Sequence, residues 1–162
     1  MANHDQIIAA IEDVDMRVEE MWDRILEHGD TPLAEGTWRV REALSHLAAR
    51  GNGVARVMAR ARALKDPSAP QPPAPRNIDE INSDQVSERS TKSVRELLDE
   101  ITEGHRQAII SLRDVTRDEL REKIPMAGPT PGEIEVGDSI VRGGPGHDHN
   151  HLDQIEAVLP PA

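Results

Sequence analysis

Apolar residues recur at helical spacing from the start of the chain. Between Asn3 and His28 they advance in alternating steps of four and three, which buries one face of an amphipathic helix. Asn3, with Gln6 three residues later, is a helix-capping pattern. A first helix is therefore predicted over residues 3–28, ended by the turn residues 29–32. Its stripe consists of Ile7, Ile11, Val14, Val18, Met21 and Ile25.

A second stripe with the same spacing predicts a helix from Thr37, a plausible cap, to about Leu64. Gly51 occupies one of its apolar positions, and Gly53 follows two residues later. Glycine weakens a helix. These two glycines therefore indicate either a close helix contact or a bend.

Proline excludes a helix from the segment that follows, residues 65–77, and favours an extended polyproline-like chain there. Such a segment can cross the end of a helix bundle, where a tight hairpin would not reach. We therefore predict a long crossover between the second and third helices. Its prolines are Pro67, Pro70, Pro72, Pro73 and Pro75.

The second half of the chain contains further helices. A short helix is predicted over residues 78–89, and a longer one over residues 93–114 begins with the capping box Ser93-x-x-Glu96. A third, short helix begins near Thr116, and prolines with glycines predict a loop over residues 124–137. The last helix is expected to be broken or kinked at residues 143–146, where Gly-Gly-Pro-Gly stands.

Taken together, these patterns predict an all-α protein with a four-helix bundle. Its 162 residues fit a single domain spanning residues 1–162. The pattern shows no strand alternation and no internal repeat. The long crossover indicates a helix order other than plain up-and-down.

The charge balance narrows the possible partners. Thirty acidic residues against 19 basic ones give a formal net charge of −11, which disfavours nucleic acid and anionic membrane surfaces. Two tryptophans, with no Phe or Tyr, do not build a base-stacking platform. The polar, acidic start and the lack of an apolar stretch near the ~20 residues of a membrane span predict a soluble cytoplasmic protein.

Histidines in the last helix provide the clearest candidate chemistry. His147 and His151 are four residues apart, so a helix places both imidazoles on one face, as in helical metal sites. His149 points away from that face. The best third ligand is His46, which lies on the shoulder of the second stripe. Three neutral ligands leave the ion open positions and its full charge, which acidifies a bound water or holds a thiol as thiolate.

Other polar residues near these histidines are candidates for a supporting shell. Asp148, Asp153 and Gln154 are nearby in the sequence, which does not assign any of them to a particular imidazole. His105 lies within an apolar stripe and is interpreted as a hydrogen-bonded core or cavity-lining histidine, with a pocket wall as the alternative. Arg50 is interpreted as a surface cation, with a substrate anchor as the alternative. A solvated, adventitiously metal-binding histidine run is the competing interpretation of residues 147–151.

Two motifs resemble the DinB-like superfamily, which includes YfiT-type proteins and the N-terminal domain of mycothiol-dependent maleylpyruvate isomerase. The first is Trp38 entering the second helix, followed by His46 with Leu-Ala after it. The second is His147-x-x-x-His151-x-x-Gln154-Ile155 in the last helix. The resemblance extends over most of the chain, from about residue 3 to residue 158.

The resemblance implies a bundle with a histidine-only metal centre, holding zinc or nickel, in a homodimer. The ligands it implies are His46, His147 and His151. It favours a transferase or isomerase that uses a low-molecular-weight thiol on a small-molecule substrate. A metal-dependent hydrolase and a non-catalytic bundle that binds a small molecule or metal are the alternatives.

Overall fold

The computed structural model describes residues 1–74 and 76–162 of the chain. Over those ranges it contains eight α-helices and two short β-strands. Pro75, one of the predicted linker prolines, lies outside the described residues. The helices are α1 (His4–His28), α2 (Val40–Ala49), α3 (Gly53–Lys65), α4 (Ile78–Glu88), α5 (Val94–Leu112), α6 (Arg117–Arg121), α7 (Val136–Gly143) and α8 (Pro145–Glu156). The strands are β1 (Lys123–Pro125) and β2 (Glu133–Glu135).

The prediction for α1 is confirmed. Asn3 caps it, and the Asn3 and Gln6 side chains each accept a hydrogen bond from the other's backbone N–H. All six residues of the predicted stripe are buried. The stripe faces α5, α7 and α8, so that burial of one helical face sets the position of α1 in the bundle.

The second helix begins later than predicted, and Gly51 and Gly53 mark both a close contact and a full break. The carboxylate of Glu35 accepts hydrogen bonds from the backbone N–H groups of Thr37 (3.0 Å) and Trp38 (2.6 Å), so the helix begins only at Val40. The helix is then interrupted between α2 and α3. At that point Gly51 packs on Gly104 of α5, and a Cβ added to Gly51 would lie 2.8 Å from the Gly104 Cα.

The crossover between α3 and α4 is non-helical throughout its described residues, 66–74 and 76–77. Lys65, the first residue of the predicted linker, belongs to α3. After the crossover α4 packs against α2. The proline segment therefore delivers an additional helix to the side of the bundle that carries His46.

The predicted loop over residues 124–137 is wrong in part. Ile124 pairs with Ile134 in a two-stranded antiparallel hairpin, and Ile124 is 3% exposed. Pro125 is tolerated because it sits at the end of a strand in a sheet of only two. The helix α7 begins at Val136, directly after the hairpin.

The last helix is broken where the Gly-Gly-Pro-Gly segment predicted it. Helix α7 ends at Gly143, and Pro145 occupies the first turn of α8, where its missing N–H costs no hydrogen bond. The break between α7 and α8 lies against the break between α2 and α3. A Cβ added to Gly53 would lie 3.6 Å from the Gly144 Cα, so the two backbones are close there. Two of the bundle's helical columns are thus interrupted at the same level.

The all-α four-helix bundle is confirmed. Its four columns are α1, α2 with α3, α5, and α7 with α8, which pack on one another as that fold requires. Its apolar core forms two clusters, one around Leu44, Leu98 and Leu152 and the other around Ile7 and Ile140. None of the helices in the described ranges has both the length and the apolar content that a membrane crossing demands.

A polar layer lies between the two apolar clusters. On α5, His105 stands between Ile101 of one cluster and Ala108 of the other, and it is 3% exposed. Asp148 occupies the equivalent place on α8 at 7% exposure. The two helix breaks lie at the same level of the bundle as this polar layer. The middle of the bundle is therefore built from polar side chains and close backbone contacts.

Candidate metal centre

Three imidazoles converge at one end of the polar layer. His46, His147 and His151 each offer one ring nitrogen, and these nitrogens lie within 4.8 Å of one another. The Nε2 atoms of His46 and His147 are 3.1 Å apart. Two nitrogens bound tetrahedrally to zinc at about 2.0–2.1 Å stand about 3.3 Å apart. The donor set and its spacing therefore fit a divalent ion after only small ring rotations.

Helix geometry accounts for the two histidines of α8. The ring centroids of His147 and His151 are 4.6 Å apart, as expected for residues one turn apart on the same face. The break at Gly144 falls before His147, so both residues lie within one regular helix. His46 reaches them from α2, and its ring centroid is 4.9 Å from that of His151.

The electrostatics of the cluster keep its imidazoles available as ligands. Burial lowers the pKa of His46 to about 4, opposed by a hydrogen bond to Gln85 and assisted by the charges of His151 and His147. Burial and then the neighbouring His147 also lower the pKa of His151. Metal binding requires neutral imidazole, and at neutral pH both rings are in that form.

Each imidazole has an oxygen partner at its other ring nitrogen. Gln154 Oε1 lies 3.0 Å from His151 Nδ1, and Asp148 Oδ1 lies 3.4 Å from His147 Nδ1. Such partners fix which nitrogen carries the proton and leave Nε2 free. Of the three sequence candidates for this role, Asp148 and Gln154 lie beside the rings, whereas Asp153 pairs with Arg17.

The partner of His46 is a residue that sequence reasoning missed. Gln85 of α4 accepts a hydrogen bond from His46 Nδ1 at 2.7 Å. Gln85 is one of several polar residues on a helix without buried residues, and it lies beyond the proline crossover. Only the packing of α4 on α2 brings the two together, so no local pattern could have found it.

His105 does not reach the three imidazoles. Its Nδ1 lies 2.5 Å from Asp15 Oδ1 of α1, and its Nε2 lies 3.2 Å from Asp148 Oδ2. Burial opposes the charged ring, but the hydrogen bonds to Asp148 and Asp15 prevail and raise the pKa of His105 to about 9. As the sequence predicted, it is a hydrogen-bonded core histidine. It is also charged, and it ties α1 and α5 to the aspartate beside His147.

Arg50 is half-buried, contrary to the interpretation of it as a surface cation. Its Nη2 donates to the carbonyl oxygen of Gly143 at 3.3 Å, and its Nε is buried without a hydrogen-bond partner among the described residues. The outer face of α8 is separate from the site. There His149 lies 3.2 Å from Asp13, and Asp153 pairs with Arg17 at 2.6 Å.

Two grooves open beside the cluster. One, of about 620 Å³, lies next to His151 and is lined by Trp38 and Val86 together with the carboxylates of Glu35 and Asp79. The other, of about 310 Å³, lies next to His147. Both volumes are in the range of small-molecule sites, and each groove is lined by one histidine of the cluster.

The sequence profile of the DinB superfamily matches residues 4–155, which include all three histidines. The chain belongs to the DinB superfamily. The motifs that pointed to this family in the sequence are the ones that supply His46, His147 and His151. None of the curated proteins compared with this DinB chain matches it significantly.

Two solved structures share the DinB fold of this chain. YfiT from Bacillus subtilis, described as a probable metal-dependent hydrolase with an unusual four-helix bundle topology, has a TM-score of 0.70 at 22% identity. The match covers 96% of this chain and 85% of YfiT. A mutant of mycothiol-dependent maleylpyruvate isomerase also has a TM-score of 0.70, at 8% identity. That match covers 94% of this chain but spans only 60% of the isomerase chain, and at these identities both likenesses show the fold alone.

Proposed function

We propose that this DinB-superfamily protein is a metal-dependent enzyme whose divalent ion is held by His46, His147 and His151. The convergence of three imidazole nitrogens within 4.8 Å carries the proposal. An ion with three neutral ligands and an open position acidifies a bound thiol or water. Zinc and nickel both accept imidazole ligands.

We favour a transferase or isomerase that uses a low-molecular-weight thiol. A hydrolase needs a carboxylate base near the attacking water. The carboxylate in contact with the cluster, Asp148, is already hydrogen-bonded by His105 and His147. In the groove beside His151, neither Glu35 nor Asp79 forms a hydrogen bond with the three histidines in the described part of the chain. The hydrogen bonds from His105 and His147 outweigh burial and lower the pKa of Asp148, which makes it a weak base.

The protein's own residues would perform three tasks. Gln85 and Gln154 would hold the ligand rings in orientation, as their hydrogen bonds to His46 and His151 indicate. The grooves beside His151 and His147 would receive the thiol and the electrophile. Trp38, whose ring centroid lies 5.3 Å from that of His46, would shield the cluster from water on one side.

A conjugation assay tests the proposal. Protein loaded with zinc or nickel would be mixed with cysteine, glutathione or 2-mercaptoethanol and the electrophile 1-chloro-2,4-dinitrobenzene. We expect conjugation above the metal-free background, abolished in His46→Ala together with stoichiometric metal binding. The matched control is His149→Ala, which removes a histidine of the same run that faces away from the cluster.

The outcomes separate the alternatives. A metal-loaded protein that hydrolyses p-nitrophenyl acetate but conjugates no thiol would establish the hydrolase instead. Bound metal with neither activity would favour the non-catalytic bundle. Unchanged metal content in His46→Ala would remove this residue from the site. The homodimer stays a prediction.

A further inference from the structure

The smaller groove, beside His147, has a distinct chemical character. It lies between the hairpin, α7 and α8, and one of its walls is apolar. Its volume of about 310 Å³ suits a small organic molecule. The lining residues are Met126, Ala127, Ile134, Ser139, Arg142, Gly143, His147 and Asn150.

Arg142 is the one arginine among the described residues that line this groove, and no lysine, aspartate or glutamate lines it. It is exposed, and within the described part of the chain its guanidinium has no hydrogen bond or ion pair. Arg95, Arg113, Arg117 and Arg121 are likewise without a partner in that part of the chain, so Arg142 is distinguished by its place in the groove beside His147. In a chain of net charge −11, an arginine that lines a groove beside the candidate metal centre points to an anionic ligand.

Arg50, directly after the end of α2, contacts this groove from behind without lining it. It donates to Gly143, a lining residue, and retains a buried Nε without a partner in the described ranges. Asp148, the carboxylate near Arg50, is already shared with His105.

The groove on the other side of the cluster has the opposite charge. It is lined by Glu35 and Asp79, and no arginine or lysine lines it. A carboxylate entering that groove would meet two like charges. An anionic ligand is therefore expected in the groove beside His147 and not in the groove beside His151.

We propose that the groove beside His147 is a subsite for the carboxylate of a small substrate, bound by Arg142 and favoured by the positive charge of Arg50 behind Gly143, with the substrate's apolar part against Met126 and Ile134. Arginine presents a planar pair of N–H donors that matches a carboxylate. The subsite rests on the proposed function, because it would place the electrophilic part of such a substrate next to the metal ligand His147.

The test compares benzoate with benzamide, two probes of the same shape that differ in charge. Binding to the full chain is measured by isothermal titration calorimetry, first without metal, so that benzoate cannot bind through the ion, and then with zinc. We expect benzoate to bind about tenfold more tightly than benzamide. Arg142→Gln should remove most of that preference, and Arg50→Gln should weaken it.

The matched control is Arg113→Gln. Arg113 is also an exposed arginine at the C-terminal end of a helix, here α5, and its removal changes the net charge equally. The preference for benzoate should survive in this variant. Arg142→Lys should restore part of the preference, because it keeps the charge but not the paired donors.

Three outcomes would overturn the subsite: equal affinity for the two probes, no binding of benzoate, or a preference that survives both Arg142→Gln and Arg50→Gln. The subsite and the proposed function fail separately. Thiol conjugation without a benzoate preference rejects the subsite alone. A benzoate preference without metal-dependent conjugation rejects the proposed function and leaves an anion site.

Discussion

At the scale of single residues, two buried histidines of this chain have pKa values shifted in opposite directions, because their neighbours differ. His46 and His105 are both buried, at 4% and 3% exposure. His46 faces an amide oxygen and other imidazoles, and its pKa falls to about 4. His105 faces two carboxylates, and its pKa rises to about 9. His46 is thus a neutral candidate ligand, and His105 is a buried cation hydrogen-bonded to Asp148.

We predict that the metal-free protein loses stability as the pH rises from about 6.5 to about 9. The folded-state pKa of His105 is raised to about 9, so its contribution is complete below its unfolded value of about 6.5 and is lost as the pH passes through the folded value. The loss amounts to at most about 3 kcal/mol. Urea unfolding at a series of pH values measures it.

The variant for this prediction is His105→Gln, in which the decline over that pH window should be absent and the stability at pH 6 lower. His28→Gln, near the end of α1 and away from the polar layer, should retain the wild-type decline. A decline of the same size in His105→Gln would assign the pH dependence to other groups.

At the scale of helices, glycines decide where the columns approach and where they break. Gly51 and Gly104 bring the backbones of α2 and α5 into contact, as the 2.8 Å distance for an added Cβ shows. Gly53 and Gly144 meet at the interruption of two columns. The close contact draws α2 onto α5, and the breaks let α8 tilt independently of α7, which together bring His46 within reach of His147.

Gly104→Ala should destabilise the protein by about 1–3 kcal/mol, because the new methyl group overlaps the backbone of Gly51 and forces α2 from α5. The gain in helix propensity, about 1 kcal/mol, offsets only part of this cost. Thermal unfolding measures the difference. Gly143→Ala is the control, since an added Cβ there meets nothing within 4 Å. An equal or higher melting temperature for Gly104→Ala would contradict the contact.

At the scale of the whole molecule, the candidate metal centre joins parts of the chain that are far apart in sequence. His46 and His147 are 101 residues apart, yet their Nε2 atoms are separated by 3.1 Å. The ligands exist as a set only in the folded chain. Any ion that binds them therefore stabilises the folded state relative to the unfolded one.

Zinc at a concentration about 100 times its dissociation constant should stabilise the fold by about 2.7 kcal/mol. For a chain of this size the melting temperature then rises by about 5–10 °C. Differential scanning calorimetry with and without zinc measures the shift. It should vanish in His46→Ala and persist in His149→Ala, and a shift that persists in His46→Ala would point to adventitious binding by the histidine run.

Much of this protein was predictable from local patterns. The stripe of α1, the capping boxes, the break before His147 and the four-residue spacing of His147 and His151 all depend on interactions within one or two turns. Side chains three and four residues apart share a helix face whatever the rest of the fold does. The sequence by itself therefore determined α1, α5 and the paired imidazoles of α8.

Only the tertiary structure decided how these parts meet. The hydrogen bond of Gln85 to His46, the contact of Gly51 with Gly104 and the two carboxylates around His105 each join separate helices. Such pairs leave no periodic signal, because their spacing in sequence is set by loop lengths and crossing geometry. Packing of the whole chain, which buries both apolar clusters at once, selects the one arrangement in which they form.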